Sequence, residues 1–153
     1  MAKTKAMALI NQARQKNATL TTRTEATGNG VPAVLVCGAT PAAKLQAISA
    51  LLDARPAQEM WAVVATPEIV AGLLNRAGIE FEEVAPGCPC CLGALPFQVG
   101  LVRLLRRLKH RPAARLLIEG GTEAHAAAVR AVMSQPGLAG HVYIEDVVVT
   151  SAG

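Results

Sequence analysis

Three of the four cysteines of this chain lie within four residues, in Gly87-Cys88-Pro89-Cys90-Cys91. Thiolates at that density favour a thiophilic ion such as zinc or copper(I). Cys88 and Cys91 also form a C-x-x-C spacing that suits a redox disulfide. Structural zinc sites need four ligands, usually two separated pairs. Here three packed thiols have no second pair, so a metal bound to Cys88, Cys90 and Cys91 keeps a position open. Water, a carboxylate or a partner's ligand would fill it. An open site suits transfer or catalysis better than scaffolding. Buried packing is the third reading of these cysteines, because cysteine is also a good small hydrophobe.

Other candidates lie nearby in sequence. Glu80 and Glu82 share a face if their segment is a strand, and either could supply a fourth ligand. Solvated edge charges are the plainer reading of both. His125 is a further candidate ligand. His110 sits at a basic helix end, where it can cap carbonyls, and His141 reads as exposed. Cys37 ends the apolar run Val34-Leu35-Val36 and reads as a buried strand cysteine.

The elements that must hold these residues follow from periodicity. The chain has 153 residues, 52% hydrophobic but only 3% aromatic, so its core must be built from Ala, Val, Leu and Ile. That length makes one domain with a real core. Residues 1–30 are polar and read as a flexible arm. From residue 31 to 153 strands and helices alternate. Ala33–Cys37 is a Val-rich strand, and Ala42–Ala54 a helix with Leu45, Ile48, Leu51 and Leu52 on one face. Trp61–Ala65 is a strand, and a helix runs from Pro67 to about Arg76, stopped by Gly78. Phe81–Val84 is a strand leading into the cysteines. A helix opened by Pro96 points Val99, Val102, Leu105 and Leu108 to the core. Arg115–Glu119 is a strand, Glu123–Ser134 a helix and Val142–Thr150 the last strand. This alternation predicts an α/β fold: a mainly parallel five-stranded sheet with helices on both faces. Ligands bind such sheets at the carboxyl ends of the strands. The Gly38 loop, the cysteines and Glu119 all fall there.

Composition narrows the partners. No apolar run approaches the roughly 20 residues of a membrane span, and the short run after the basic start does not make a signal-peptide core. A cytoplasmic, reducing setting is expected, where thiols serve metals or catalysis rather than structural disulfides. The net charge is +4 and the pI about 9.1. Much of the excess lies in Arg103, Arg106, Arg107, Lys109, Arg111 and Arg115. Without aromatic residues for stacking, these read as a solvated helix face and not as a nucleic-acid site.

Three features in this order resemble the CobW-type metallochaperone GTPases. The cysteine loop matches the family's GCxCC motif. Leu92-Gly93 and Leu101–Leu108 look like the helix that follows it, and Leu116-Leu117-Ile118-Glu119 looks like the strand ending in the family's metal-associated glutamate. The resemblance covers about residues 31–150 and implies a P-loop NTPase-like fold. In that family GTP turnover is linked to delivering zinc, cobalt or a similar metal to a client. His125 sits where some members carry a histidine.

The phosphate loop departs from that pattern. A working loop reads G-x-x-x-x-G-K-[ST]: amides cradle phosphate, the lysine reaches the terminal phosphates, and the hydroxyl holds magnesium. Gly38-Ala39-Thr40-Pro41-Ala42-Ala43-Lys44-Leu45 keeps Gly38 and Lys44. Ala43 replaces the second glycine, Pro41 removes an amide donor, and Leu45 cannot coordinate magnesium. Thr122 stands where the family usually has a glycine, three residues after Glu119. The sequence ends at Gly153, before an N-K-x-D base-reading motif is expected and without the family's carboxy-terminal domain.

The resemblance therefore implies a truncated metal-binding domain: Cys88, Cys90 and Cys91 on zinc, and a relic nucleotide site at Gly38, Lys44 and Glu119. GTP and magnesium are not expected to bind efficiently. Its partners would be the metal ion and a metalloprotein client or a related full-length GTPase, with neither nucleic acid nor membrane. Two alternatives remain. One is slow GTP turnover, with Lys44 on phosphate and Glu119 on magnesium or water. The other is a thiol-disulfide oxidoreductase using Cys88 and Cys91.

Overall fold

A computed structural model describes residues 30–85 and 94–150. The polar arm and Cys88, Cys90 and Cys91 lie outside the described residues. Five strands form one sheet: β1 (Val31–Cys37), β2 (Trp61–Ala65), β3 (Ile79–Glu83), β4 (Arg115–Glu119) and β5 (Val142–Val149). Their order is β3-β2-β4-β1-β5, and every pairing is parallel. The helices are α1 (Pro41–Asp53), α2 (Pro67–Ala71), α3 (Ala94–Leu108) and α4 (Ala126–Met133), the last entered through a 3-10 turn over Glu123–His125.

Position in the sheet explains strand composition. β2 is buried at all five positions, as are the last five residues of β1 and the centre of β4. Central strands of a parallel sheet are covered on both faces, so they are apolar throughout. The edge strands β3 and β5 carry the acidic residues Glu80, Glu82, Glu83, Glu145 and Asp146. Charge on an edge discourages unwanted pairing.

Alternating side chains divide the core in two. Leu35, Val64, Leu116 and Ile118 meet Phe97, Leu101 and Leu104 of α3 and Val129 and Val132 of α4. On the opposite face Val36, Val63 and Leu117 meet Ile48 and Leu52 of α1 and Ile69, Val70 and Leu73 around α2. Each such aliphatic side chain stabilises the fold by about 1.5–3 kcal/mol when fully buried.

Some boundaries differ from the periodicity. The ladder of β1 begins at Val31, paired with Val142, two residues before the apolar run. α2 stops at Ala71, because Gly72 caps it and lies against Leu45 of α1. A Cβ at Gly72 would come within 2.8 Å of Leu45 Cδ2. Gly78 therefore does not stop the helix, which has already ended; with φ +76°, a conformation suited to glycine, it turns the chain into β3. The last helix is shorter than expected because its first turn is 3-10.

α3 is rotated from the expected face. Phe97, Leu101, Leu104 and Leu108 are buried, while Val99 is 46% exposed. Val102 and Leu105 pack at the margin. The helix is apolar on two sides, so apolar spacing alone does not set its rotation. Polar and steric contacts do. Arg107 turns toward β3 and donates to Glu80, Glu82 and the Phe81 carbonyl. Gly100 admits Val84, whose Cγ1 would lie 2.9 Å from a Cβ there.

A second buried ion pair crosses the sheet. Arg115 of β4 reaches over β1 to Glu145, 3.3 Å away, where the β1–β5 register shifts between Ala33 and Val34. Arg115 also lies over the Trp61 ring at 5.2 Å, a cation–π contact. The Glu145 side chain is only 2% exposed, and its Oε2 lacks a hydrogen-bond partner. Burial pushes the Glu145 carboxyl above its ordinary range, against the lowering by Arg115 and with a further push from Asp146.

That shift has a sign. Between the ordinary and the raised pKa the folded state binds more protons than the unfolded state, so stability falls as pH rises through this window. We expect urea unfolding to show added stability as pH is lowered from neutrality toward the ordinary carboxylate range. Glu145→Gln removes that increment. An identical pH slope in parent and variant would show that burial does not control this carboxyl.

Candidate functional site

The carboxyl ends of β1, β2 and β4 converge on one buried carboxylate. Glu119, the last residue of β4, receives two donors from Thr66 at the end of β2. Its Oε1 accepts from Thr66 N at 2.8 Å and from Thr66 Oγ1 at 2.8 Å. Its Oε2 lies 3.0 Å from Lys44 Nζ. Lys44 also donates to the Gly120 carbonyl at 3.1 Å. The two side chains are 12% and 5% exposed, in that order. Such burial is tolerable because both charges are paired and hydrogen-bonded.

The loop that carries Lys44 is short. β1 ends at Cys37 and α1 begins at Pro41. Thr40 is the N-cap, extended at φ −127° and ψ 147°, and Pro41 occupies the first turn, where its missing N–H costs little. Thr40 Oγ1 accepts from Ala43 N at 3.2 Å, and Thr40 O accepts from Lys44 N at 3.2 Å. Gly38 N donates to Gly121 O at 3.1 Å. The amides of residues 38, 43 and 44 are therefore engaged within the protein. Leu45 packs on Gly72. Gly38 has a packing reason of its own: Thr150 sits where any Cβ at residue 38 would point. Thr150 N in turn donates to Cys37 O at 2.8 Å, binding β5 to this end of β1.

The structure brings Gly38, Lys44 and Glu119 to the same end of the sheet. Lys44 and Glu119 meet each other. Cys37 lies beneath them, fully buried, as expected of a strand cysteine. Burial pushes its thiol up, Lys44 pulls it down, and Glu123 pushes it up further. Thr66 is the partner that the sequence reading missed. Its place directly after β2 was the available signal.

Two candidate ligands have other partners. Glu80 and Glu82 do share a face, but neither is a solvated edge charge. Arg107 Nε donates to Glu80 Oε1 at 3.0 Å, Arg107 Nη1 to Glu82 Oε2 at 2.7 Å, and Arg107 Nη2 to Phe81 O at 2.8 Å. Arg103 lies 3.5 Å from Glu82 Oε1. Glu82 is 6% exposed. The Glu82 hydrogen bond is the main reason that the Arg107 pKa is raised. The basic segment is therefore not uniformly solvated, because Arg107 and Arg115 are locked in ion pairs.

His125 closes a capping box with Thr122. Its Nδ1 accepts from Thr122 N at 3.2 Å. An imidazole accepting at Nδ1 carries its neutral proton on Nε2, so while the cap holds neither nitrogen offers a metal a free lone pair. His141 is exposed, as read. No group of three metal-ligating side chains occurs among the described residues. No helix among them is long and apolar enough to cross a membrane.

Residues 24–151 match the family model for the CobW/HypB/UreG nucleotide-binding domain, and the chain belongs to that family. Over 89 residues it is 38% identical to the zinc chaperone YeiR of Escherichia coli (strain K12), a match covering 56% of this chain and 26% of that protein. No solved structure matches significantly.

A buried Lys44–Glu119 pair makes Lys44 a stability residue. Removing one partner of such a pair typically costs about 3–5 kcal/mol. We expect Lys44→Met to lower the unfolding free energy by that order without any nucleotide present. The double variant Lys44→Met/Glu119→Gln should lose less than the sum of the single losses, by about 1–3 kcal/mol. Additive losses in urea unfolding would mean that the two side chains do not stabilise each other.

Proposed function

We propose that this protein is a metal-handling member of the CobW-type family that does not turn over nucleotide efficiently. Its cargo is zinc or a similar thiophilic ion, held by Cys88, Cys90 and Cys91. It releases that ion to a metalloprotein client or to a related full-length GTPase. Family membership supports a metallochaperone role, and the relative from Escherichia coli is itself described as a zinc chaperone.

The observation that carries the nucleotide half of this reading is the contact between Lys44 and Glu119. The residues present do not fit a magnesium nucleotide. Lys44 is held by Glu119 and Gly120 O. Leu45 stands where a magnesium-binding hydroxyl is needed and packs on Gly72. Pro41 has no N–H to donate, and the amides of Ala43 and Lys44 are engaged by Thr40. The phosphate loop is degenerate in this reading, and Lys44 serves as a strand clasp.

The metal half rests on thiol chemistry. Three thiolates and an open position allow a client's thiol or imidazole to enter before the ion leaves. Arg107, Gly100 and Val84 anchor β3 to α3 on either side of the cysteine segment.

Two measurements test the two halves. We expect zinc titration of anaerobically purified protein to give one ion per chain. Affinity should fall as pH drops, because thiolate ligands must first lose protons. A Cys88→Ser/Cys90→Ser/Cys91→Ser variant that binds zinc as tightly as the parent would place the site elsewhere. A reversible Cys88–Cys91 disulfide that zinc does not protect would favour the oxidoreductase.

For nucleotide, the loss of two charge-assisted contacts at about 1.5–3 kcal/mol each lowers affinity by about two to four powers of ten. Calorimetry should therefore detect no magnesium-GTP binding at sub-millimolar concentration and no metal-stimulated hydrolysis. Micromolar binding abolished by Lys44→Ala would restore a working GTPase.

A further inference from the structure

The solvent face of α3 is divided along its axis. Leu95 is 67% and Val99 46% exposed. They lie four residues apart, so they are neighbours on the helix surface. Single exposed aliphatic residues are ordinary. This pair is different in its placement: it lies at the helix end that follows directly from the cysteine segment. Further along the same face are Arg106 and Lys109, both exposed. Neither forms an ion pair among the described residues, nor does Arg111 just beyond. The neighbouring Arg107 and Arg103 face β3 carboxylates, so the local acidic residues are already engaged.

We propose that this face of α3 docks an acidic segment of a partner polypeptide with an apolar residue at one end. The apolar residue would sit on Leu95 and Val99, and the carboxylates on Arg106 and Lys109. Charge complementarity selects the partner: three cations with no ion pair among the described residues, on a protein of net charge +4, attract an acidic chain. At 1.5 Å per helical residue, Leu95 and Val99 lie about 10–17 Å from Arg106. About three to five residues of extended chain span that distance.

Other occupants fit less well. A second copy would bring like charges together. Nucleic acid would find no aromatic platform beside the cations. A bilayer surface favours an apolar stripe along a whole helix, whereas here the apolar and basic residues are segregated end to end. The inference deepens the metal-transfer reading and rests on it for its purpose: the docked segment would hold a client on the helix that follows the cysteines in the chain.

The test uses the full chain loaded with zinc. The probe is a fluorescein-labelled synthetic peptide carrying two leucines, a short polar spacer and four glutamates. Fluorescence anisotropy should report binding that weakens with added salt. Leu95→Ser/Val99→Ser should weaken it about tenfold, the loss expected when an apolar anchor is removed. Arg106→Glu/Lys109→Glu should weaken it at least as much. All four residues are exposed, so the variants should melt like the parent.

The proposal is overturned if the peptide with serines in place of leucines binds equally well. Preference for an oligouridine of equal charge or for phosphatidylserine vesicles overturns it too, as does a dimer that Leu95→Ser disperses. Zinc binding is titrated on the same samples. Zinc bound without peptide rejects the docking face and leaves the metal reading standing. Peptide bound without zinc keeps the docking face and removes the metal reading.

Discussion

Lys44 and Glu119 meet at 3.0 Å where three strand ends would otherwise present unpaired polar groups. A parallel sheet ends its strands at one edge, and the loops there must satisfy whatever backbone they leave open. In this protein a single carboxylate does much of that. Glu119 accepts from the amide and hydroxyl after β2, and its ion partner comes from the helix after β1. Gly120 N donates to Val36 O, Gly38 N to Gly121 O and Thr150 N to Cys37 O. These contacts join the ends of β1, β2, β4 and β5. That is why the same residues that resemble a nucleotide site read structurally as a junction.

The physical contrast with a phosphate cradle is one of donors. A cradle needs amides and a cation directed at empty space. Here the cation points at a carboxylate, and a threonine cap takes the amides of Ala43 and Lys44. Releasing Lys44 to phosphate would expose a buried carboxylate that keeps only its Thr66 donors. The penalty for an uncompensated buried charge opposes that release. Pro41 and Thr40 make a good helix start, because Thr40 accepts from the first-turn amides of Ala43 and Lys44 and Pro41 needs no partner there.

Much of the sheet was legible because a central parallel strand needs apolar residues on both faces, and Ala33–Cys37, Trp61–Ala65 and Arg115–Glu119 meet that demand plainly. The places of Gly38 and Glu119 at strand carboxyl ends were legible too, from the apolar runs that precede them. The contact between Lys44 and Glu119 was not, because residue types do not distinguish a lysine aimed at phosphate from one aimed at a carboxylate. The rotation of α3 was hidden for a related reason. Phe97, Leu101 and Leu104 compete with Val99, Val102 and Leu105 for the core, and only Arg107 and Gly100 decide between them. The roles of Glu80 and Glu82 depended on the same decision.

That rotation has a consequence for function. With Phe97, Leu101, Leu104 and Leu108 turned to the core, the residues on the opposite side of the helix must look outward. Leu95 and Val99 then become surface residues although their types suit a core. The clamp between β3 and α3 also sets which side chains of α3 face solvent. Ion pairing within the protein engages Arg103, Arg107 and Arg115 and leaves Arg106, Lys109 and Arg111 to solvent. The basic charge is therefore sorted rather than spread. Arg103 and Arg107 hold β3 to α3, Arg115 ties β4 to β5, and the cations beside the two exposed aliphatics form no ion pair among the described residues.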